Sequence, residues 1–303
     1  MVKFAVLYTF PEHVFGMAMQ RLQRLIDMNP KVTFFPVVGS RQLFYFPMII
    51  DKYMFGSKPN RFPLINTFHI INSIALSAPG AFQLSRAINK ILNLVRKHTL
   101  TKISDRTNIM RLQTLYIDPT PMALWNLDHT LMEWFNRLGK QHDFDYLICY
   151  ESDIFTTKPL TVIYDKYTKL FDACFVDFEM ATQNWWVYNF PPGSRRATVR
   201  WLRQRMLPTT VYRSMFAGTL ISRCCLERLK QLRIDFSGAP YCQNEMRLPT
   251  LLSALGFRCG KLDFPYVRYR PEWSMNEIYA KKEEGIFHPV KRLVSDEIEA
   301  TDV

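Results

Sequence analysis

Apolar runs of strand length alternate with helical patterns along this chain. Val2–Phe10 and Val32–Val38 are apolar runs typical of strands buried in a sheet. Between them, apolar positions recur three and four residues apart, which predicts a helix, and strand, helix and strand in this order indicate a parallel βαβ unit. The later predicted strands are Leu112–Ile117, Tyr146–Tyr150, Ala173–Phe178, Ser214–Ser222 and Phe257–Phe264, and the later predicted helices include Leu124–Leu138, Cys225–Leu232 and Met246–Leu255.

This alternation predicts an α/β fold in which helices flank a mixed, mostly parallel sheet. We expect a single domain over residues 1–303, a length that fits one large α/β domain. One segment, at about residues 42–111, breaks the pattern. Its first part is crowded with aromatic side chains and interrupted by prolines, and a helical pattern carrying lysines and arginines begins at Phe82. We interpret this segment as an aromatic and basic insertion.

Two carboxylates follow the apolar run Tyr146–Tyr150. Glu151 and Asp153 are separated by one residue, and residues two apart in an extended chain point to the same side. Ligands of open α/β sheets bind at the carboxyl ends of the strands, where this pair is expected. Hard cations such as Mg2+ and Mn2+ prefer oxygen ligands and often bridge to substrate phosphates. The pair therefore predicts a metal and nucleotide-diphosphate site, with a solvated acidic turn as the alternative.

The chain carries an excess of positive charge. Its 39 lysines and arginines against 27 aspartates and glutamates give a formal net charge of +12. This excess favours an anionic partner such as a nucleotide, a phospholipid surface, a nucleic acid or an acidic glycan. The most basic stretch, Arg195–Arg205, could meet acceptor phosphates or a membrane surface, and a solvated helix face is the alternative.

Cysteine usage and hydropathy suggest a compartment. The six cysteines form no CxxC pair and several lie in apolar runs, which indicates buried free thiols in a reducing environment. No apolar stretch reaches the ~18 residues that span a bilayer. Met1–Phe10 has no cleavage signature of a signal peptide. We therefore expect a soluble, cytoplasmic protein.

Further candidate residues follow the acidic pair. Trp185 and Trp186 occupy a loop, where they either stack on sugar rings or fill the core beneath the loop. Gly218, inside a predicted strand, permits close approach of a ligand to the backbone. Glu245 opens a predicted helix, where it either acts chemically or stabilises the positive end of the helix dipole.

Taken together, the order of these features resembles the GT-A class of nucleotide-sugar-dependent glycosyltransferases. The features are the strand ending in Glu151-x-Asp153, the strand containing Gly218, the helix opened by Glu245 and the late segment Phe287-His288-Pro289-Val290-Lys291. Enzymes of this class carry an acidic-x-acidic metal motif at a strand end, and many have a late histidine as a metal ligand. The resemblance spans most of the chain outside about residues 44–111. The motif departs from the common Asp-x-Asp form by having Glu first.

The resemblance implies a GT-A-like (Rossmann-like) fold and a metal-dependent hexosyl- or pentosyltransferase. A sugar would pass from a nucleotide-diphosphate donor, with a UDP-sugar favoured, to a hydroxyl of a glycan acceptor. Asp153, Glu151 and His288 would hold Mn2+ or Mg2+, and Glu245 would be the base of an inverting reaction. Donor-nucleotide contacts are expected at Tyr8, Thr9, Phe10 and Lys291, and acceptor contacts at Trp185, Trp186 and Gly218. Asp128, on the helix predicted before the acidic strand, either contacts the donor nucleotide or is a solvated polar residue of that helix.

Two other classes of protein compete with this interpretation. A nucleotidyltransferase could use a similar sheet and a carboxylate-bound metal, but usually has a glycine-rich phosphate loop after its first strand. This chain has Tyr8-Thr9-Phe10-Pro11 there. A basic binding protein accounts for the net charge but leaves the strand-end carboxylates unexplained. We expect a nucleotide-sugar donor and a glycan acceptor as partners, with peripheral membrane contact through the basic patches and no nucleic acid.

Overall fold

The computed structural model describes residues 2–11, 14–41, 98–104, 109–114, 127–185, 194–231, 244–281 and 285–290. Most of the insertion predicted at about 42–111 lies outside the described residues, including the helix predicted from Phe82. The candidate residues Trp186 and Lys291 also lie outside them. The single-domain organisation stays a prediction.

A mixed, mostly parallel sheet forms the centre of the protein, as predicted. Its strands lie in the order β3-β4-β2-β1-β5-β8-β7-β9, and β6 and β10 form a separate two-stranded sheet. In the large sheet β3 and β8 run antiparallel to their neighbours, whereas the remaining neighbours pair in parallel. The strands are β1 (Phe4–Pro11), β2 (Thr33–Arg41), β3 (His98–Ser104), β4 (Ile109–Thr114), β5 (Tyr146–Glu151), β6 (Phe155–Thr156), β7 (Ala173–Met180), β8 (Tyr212–Ser222), β9 (Cys259–Leu262) and β10 (Ile286–Phe287).

Helices cover both faces of this sheet. The helices are α1 (Phe15–Met28), α2 (Leu127–Arg137), α3 (Leu160–Thr168), α4 (Ser194–Arg203), α5 (Arg223–Gln231), α6 (Asn244–Ala254) and α7 (Met275–Lys281). Apolar residues of α1 and α3 share one core cluster with Val6 of β1. Those of α2, α5 and α6 share a second cluster with Leu7. Successive residues of β1 thus face opposite layers, which explains why its sequence is an apolar run rather than an alternating one.

The strand order reverses next to β1. Strands β2, β3 and β4 all lie on one side of β1, and the next strand in the chain, β5, lies on its other side. The parallel register places Thr9 of β1 opposite Glu151 of β5. In open α/β sheets the crevice outside the carboxyl ends of two such strands is where ligands bind. The fold therefore places the end of β1 and the acidic pair at one position favourable for a ligand.

Several predicted strands differ in their ends from the observed ones, and two of them are informative. The strand predicted at Leu112–Ile117 is Ile109–Thr114, and the one predicted at Phe257–Phe264 is only Cys259–Leu262. Phe257 and Phe264 are nevertheless packed against the two core clusters. Their apolar character thus reflects packing of the segments that flank the edge strand rather than strand pairing.

Two expectations about cysteines and membrane spans can be compared with the structure. Cys149, Cys174 and Cys225 are buried and free, as predicted. None of the described helices combines the length and the apolar character needed to cross a bilayer.

Candidate active site

The first part of the site is the turn that follows β5. Glu151 is the last residue of the strand, and the backbone N–H of Ser152 donates to the carbonyl of Thr9 at 3.0 Å. The N–H of Ile154 returns to the carbonyl of Glu151 at 3.0 Å, which closes a tight turn around Asp153. Backbone bonds thus hold both carboxylates against the end of β1.

A short pair of strands brings a distant histidine to this turn. Phe155 of β6 pairs with Phe287 of β10, and His288 follows directly. The N–H of Val290 donates to the carbonyl of Asp153 at 2.7 Å. His288 Nε2 consequently lies 3.4 Å from Asp153 Oδ1. One ligand atom from each of Glu151, Asp153 and His288 lies within 4.8 Å of the other two.

The orientation of His288 is set by the segment 266–268. The ring atom Nδ1 lies 3.2 Å from the carbonyl oxygen of Arg268, and backbone bonds join His288 to Tyr266 and Arg268. Since a carbonyl only accepts hydrogen bonds, Nδ1 carries a proton in this contact. In the neutral ring the lone pair then belongs to Nε2, the atom that faces Asp153. A backbone carbonyl bound to the far nitrogen is the usual support for a metal-binding histidine.

The charges of the three side chains are coupled. Burial and the neighbouring charge of Asp153 raise the pKa of Glu151 to about 7, against the lowering effect of His288. Burial alone would lower the pKa of His288, but the hydrogen bond with Asp153 and the charges of both carboxylates outweigh it, so the pKa of His288 is raised. Glu151 and Asp153 thus concentrate negative charge in a small volume. A proton on His288 neutralises part of this charge, and a bound cation could take over that role.

A third carboxyl group, Glu245, belongs to the same electrostatic unit. It lies in the first turn of α6, and its Oε2 atom is 3.3 Å from the hydroxyl of Tyr269. Burial and the charge of Glu151 raise the pKa of Glu245 to about 8, whereas hydrogen bonds from Tyr269 and the backbone of Phe216 lower it. The structure therefore brings together all four residues predicted as metal ligands and base.

The helix that carries Glu245 is fixed by a buried ion pair. Arg247 of α6 donates to both carboxylate oxygens of Asp128 on α2, at 2.5 and 2.6 Å. The two side chains are only 5% and 0% exposed. In this structure Asp128 thus joins two helices, and its predicted contact with the donor nucleotide stays a prediction.

The predicted nucleotide contacts at the end of β1 differ in their surroundings. The Tyr8 hydroxyl donates to the carbonyl of Ala18 at 2.9 Å, and its ring stacks on Tyr150. Phe10 is buried beside Phe15, and Thr9 is the residue paired with Glu151. Tyr8 and Phe10 therefore have packing roles in this structure, and their contacts with a nucleoside stay predictions.

The described candidates for acceptor binding are buried. Trp185 is 5% exposed and packs with Val211 and Met246, which is the core-filling arrangement. Gly218 has a φ of +77° and lies in the core. The group that closely approaches its backbone is the hydroxyl of Tyr164, which donates a hydrogen bond to the carbonyl of Gly218. Sugar stacking on Trp185 and an acceptor contact at Gly218 stay predictions.

Sequence reasoning did not find three residues that support the site: Arg21, Arg247 and Tyr269. Arg21 lies on the same helical face as Ala18, Leu22 and Leu25, so an arginine within an apolar stripe was the available signal. Tyr269 and Arg247 gave no local signal, because their partners are distant in sequence.

Comparison with known proteins yields only distant matches. Neither a protein-family model nor a curated protein matches this chain significantly. The chain is similar to the solved structure of the galactosyltransferase LgtC with donor and acceptor sugar analogues, at 9% identity over 92% of this chain and 78% of that chain, with a TM-score of 0.34. It is also similar to the mannosyltransferase Ktr4p from S. cerevisiae (9% identity, 84% and 66% coverage, TM-score 0.36) and to mouse xyloside xylosyltransferase 1 (8% identity, 95% and 98% coverage, TM-score 0.35). These structures are glycosyltransferases, the class that the sequence resembles, but at these TM-scores the likeness defines neither fold nor activity.

Proposed function

We propose that this protein is a metal-dependent glycosyltransferase that moves a sugar from a nucleotide-diphosphate donor to a hydroxyl of a glycan acceptor, with inversion. The observation that carries the proposal is the convergence of Glu151, Asp153 and His288 at the crevice between β1 and β5. A metal-bound diphosphate is a ligand of the kind that such a strand-end crevice binds. Glu245 adds a carboxyl group whose pKa responds to Glu151.

The three side chains fit a divalent cation. Carboxylate oxygens suit Mg2+ and Mn2+, and the imidazole nitrogen favours Mn2+ of these two. Asp153 and His288 would hold the ion, with Glu151 acting directly or through a water molecule. When bound, such an ion neutralises negative charge that develops on the leaving diphosphate.

Glu245 is suited to the role of general base. The acceptor hydroxyl loses a proton as it attacks the sugar, and a base works best when its pKa lies near the working pH. The raised pKa of Glu245, about 8, makes its carboxylate a stronger base than an exposed one. Hydrogen bonds from Tyr269 and from the backbone of Phe216 orient this carboxyl group. Attack from the side opposite the diphosphate inverts the anomeric centre.

The acceptor side of the site adjoins a basic helix. Val199 of α4 packs in the cluster of Trp185 and Met246, and Met246 is the neighbour of Glu245. The outer face of α4 and the turn after it carry the exposed arginines Arg195, Arg196, Arg200, Arg203 and Arg205. We therefore include peripheral contact with an anionic membrane surface in the proposal, as well as a cytoplasmic location. Co-sedimentation with anionic vesicles but not with neutral ones is expected, and equal recovery with both would contradict the contact.

The test is a screen of nucleotide sugars, with UDP-sugars of hexoses and pentoses first. Release of nucleoside diphosphate and thermal stabilisation by donor and Mn2+ are measured for the wild type and for Asp153→Asn, His288→Ala and Glu245→Gln. Asp153→Asn should lose turnover, and His288→Ala should need more Mn2+ for half-maximal rate. Glu245→Gln should keep donor and metal binding but lose about 100- to 10,000-fold in transfer rate, the reach of general base catalysis. Asp165→Asn is the control, because Asp165 is an exposed carboxylate on α3. Its turnover and Mn2+ requirement should match those of the wild type.

Each part of the proposal can fail separately. NMR of the product should show an anomeric configuration opposite to that of the donor, and a retained configuration would remove the role of Glu245. Release of pyrophosphate from a nucleoside triphosphate and a sugar phosphate, without turnover of any nucleotide sugar, would identify a nucleotidyltransferase. Binding to polyanions without turnover of any nucleotide sugar would favour a basic binding protein.

A further inference from the structure

A buried arginine touches both chain segments that form the candidate metal site. Arg21 of α1 is 8% exposed, and its Nη1 atom donates to the carbonyl of Ser152 at 2.7 Å and to the carbonyl of Val290 at 2.6 Å. Ser152 is the residue between Glu151 and Asp153, and Val290 follows His288 by two residues. One nitrogen atom thus bridges the acidic turn and the histidine segment.

This bridge closes a loop of contacts around the site. The N–H of Val290 donates to the carbonyl of Asp153 at 2.7 Å, next to the Ser152 carbonyl that Arg21 binds. The two segments are therefore joined by the pairing of Phe155 with Phe287, by this direct bond and, next to it, through the guanidinium. Each further bond restricts the relative orientation of the two segments. That orientation determines the distance between Asp153 Oδ1 and His288 Nε2.

Charged hydrogen bonds make this arrangement stiffer than a neutral one. Hydrogen bonds from an ionised donor are stronger than neutral pairs, and they gain strength in a buried environment. The guanidinium also lies close enough to Tyr8 and Tyr150 for its charge to oppose the rise that burial causes in the pKa of each hydroxyl. Arg21 thus places a fixed positive charge in the layer of side chains beneath the end of β1 and β5.

We propose that Arg21 is a positioning residue that holds the Glu151–Asp153 turn and His288 in the arrangement that binds a divalent cation. The inference rests on the metal site of the proposed function. Arg21 touches neither the carboxylate oxygens nor the imidazole in these contacts, and acts through the backbone at Ser152 and Val290. Substitutions in the supporting shell of a metal site typically weaken metal affinity 10- to 100-fold.

The experiment measures Mn2+ affinity directly, by titration with detection of free Mn2+ by electron paramagnetic resonance. Arg21→Met keeps an unbranched apolar stem and removes the donors. It should weaken Mn2+ binding about 10- to 100-fold at a temperature where circular dichroism shows a folded protein. Arg228→Met is the control, because Arg228 is an exposed arginine on α5, whose apolar residues belong to the core cluster on the other face of the sheet. Its Mn2+ affinity should equal that of the wild type.

The outcomes separate this inference from the proposed function. A folded Arg21→Met protein with wild-type Mn2+ affinity would overturn it, even if its thermal stability were reduced. If Arg21→Met does not fold, Arg21→Gln, which keeps a single amide donor on a shorter side chain, decides the question by the same comparison. A wild-type protein that binds no Mn2+ would instead refute the metal site on which the inference rests.

Discussion

The buried ion pair between Asp128 and Arg247 allows a quantitative prediction about the helix that carries Glu245. Both carboxylate oxygens are bound by the guanidinium, at 2.5 and 2.6 Å, and the two side chains are 5% and 0% exposed. Replacing Asp128 alone removes the carboxylate that binds this buried guanidinium, and breaking a buried pair in this way typically costs about 3–5 kcal/mol. For a folded domain with a total stability of about 5–15 kcal/mol, this is a large fraction.

Replacing both partners has a different expected effect. The double variant Asp128→Leu with Arg247→Met fills a similar volume with apolar side chains and leaves no buried charge behind. Such replacements are often neutral or stabilising. We therefore expect Asp128→Leu to lower the free energy of unfolding by about 3–5 kcal/mol, and addition of Arg247→Met to restore most of the loss.

Urea denaturation followed by tryptophan fluorescence measures these free energies for the wild type, both single variants and the double variant. A decrease in the free energy of unfolding of less than about 1 kcal/mol in Asp128→Leu would refute the buried-pair argument, because exposed ion pairs contribute only that much. The folded double variant also tests the role predicted for Asp128 from the sequence. Wild-type affinity for the donor nucleotide would assign Asp128 to structure, whereas loss of nucleotide binding with an intact fold would support the predicted contact.

Two further predictions concern Glu245 and Gly218. In Tyr269→Phe the hydroxyl that lowers the pKa of Glu245 is absent, so this pKa should rise. Because the base must be deprotonated to act, the acid limb of the kcat–pH profile should move to higher pH. An acid limb at the wild-type pH would contradict the contact between Tyr269 and Glu245. Gly218→Ala should destabilise the protein by at least about 1–2 kcal/mol, because its φ is +77° and the new Cβ would lie 3.0 Å from the hydroxyl of Tyr164. Gly256→Ala is the control, since Gly256 has a φ of +85° and, among the described residues outside its immediate chain neighbours, no atom lies within 4 Å of its added Cβ. An equal loss of thermal stability in both variants would show that backbone conformation alone is responsible.

The sequence predicts the part of the site that is encoded locally. The apolar run of β5 and the spacing of Glu151 and Asp153 place both carboxylates at a strand end without knowledge of any distant contact. The position of His288 depends on the pairing of β6 with β10, and two strands of two residues each leave no periodicity to recognise. Its assignment came from resemblance, and the geometry of the described residues now provides an independent reason for it.

Buried aromatic and polar side chains limit what the sequence can predict. Trp185 lies in a loop, and nothing in its neighbours distinguishes an exposed ring from one that packs on Met246, which is far away in the chain. The same holds for Asp128, since a polar residue on a predicted helix gives no sign of a buried partner such as Arg247. In both cases the deciding contacts come from elements that are distant in sequence.

The charges of the site couple cation binding to the state of the base. Burial raises the pKa of Glu245 and that of Glu151, and the neighbouring charges of Glu151 and Asp153, respectively, raise them further. A divalent cation among these carboxylates would lower both pKa values, because it favours the ionised forms. On the proposed function, Glu245 would therefore become a competent base near neutral pH when the ion that accompanies the donor is in place. Without the ion it would be mostly protonated below pH 8. With such coupling, Glu245 would take a proton from the acceptor only in enzyme molecules that have already bound the donor and its ion.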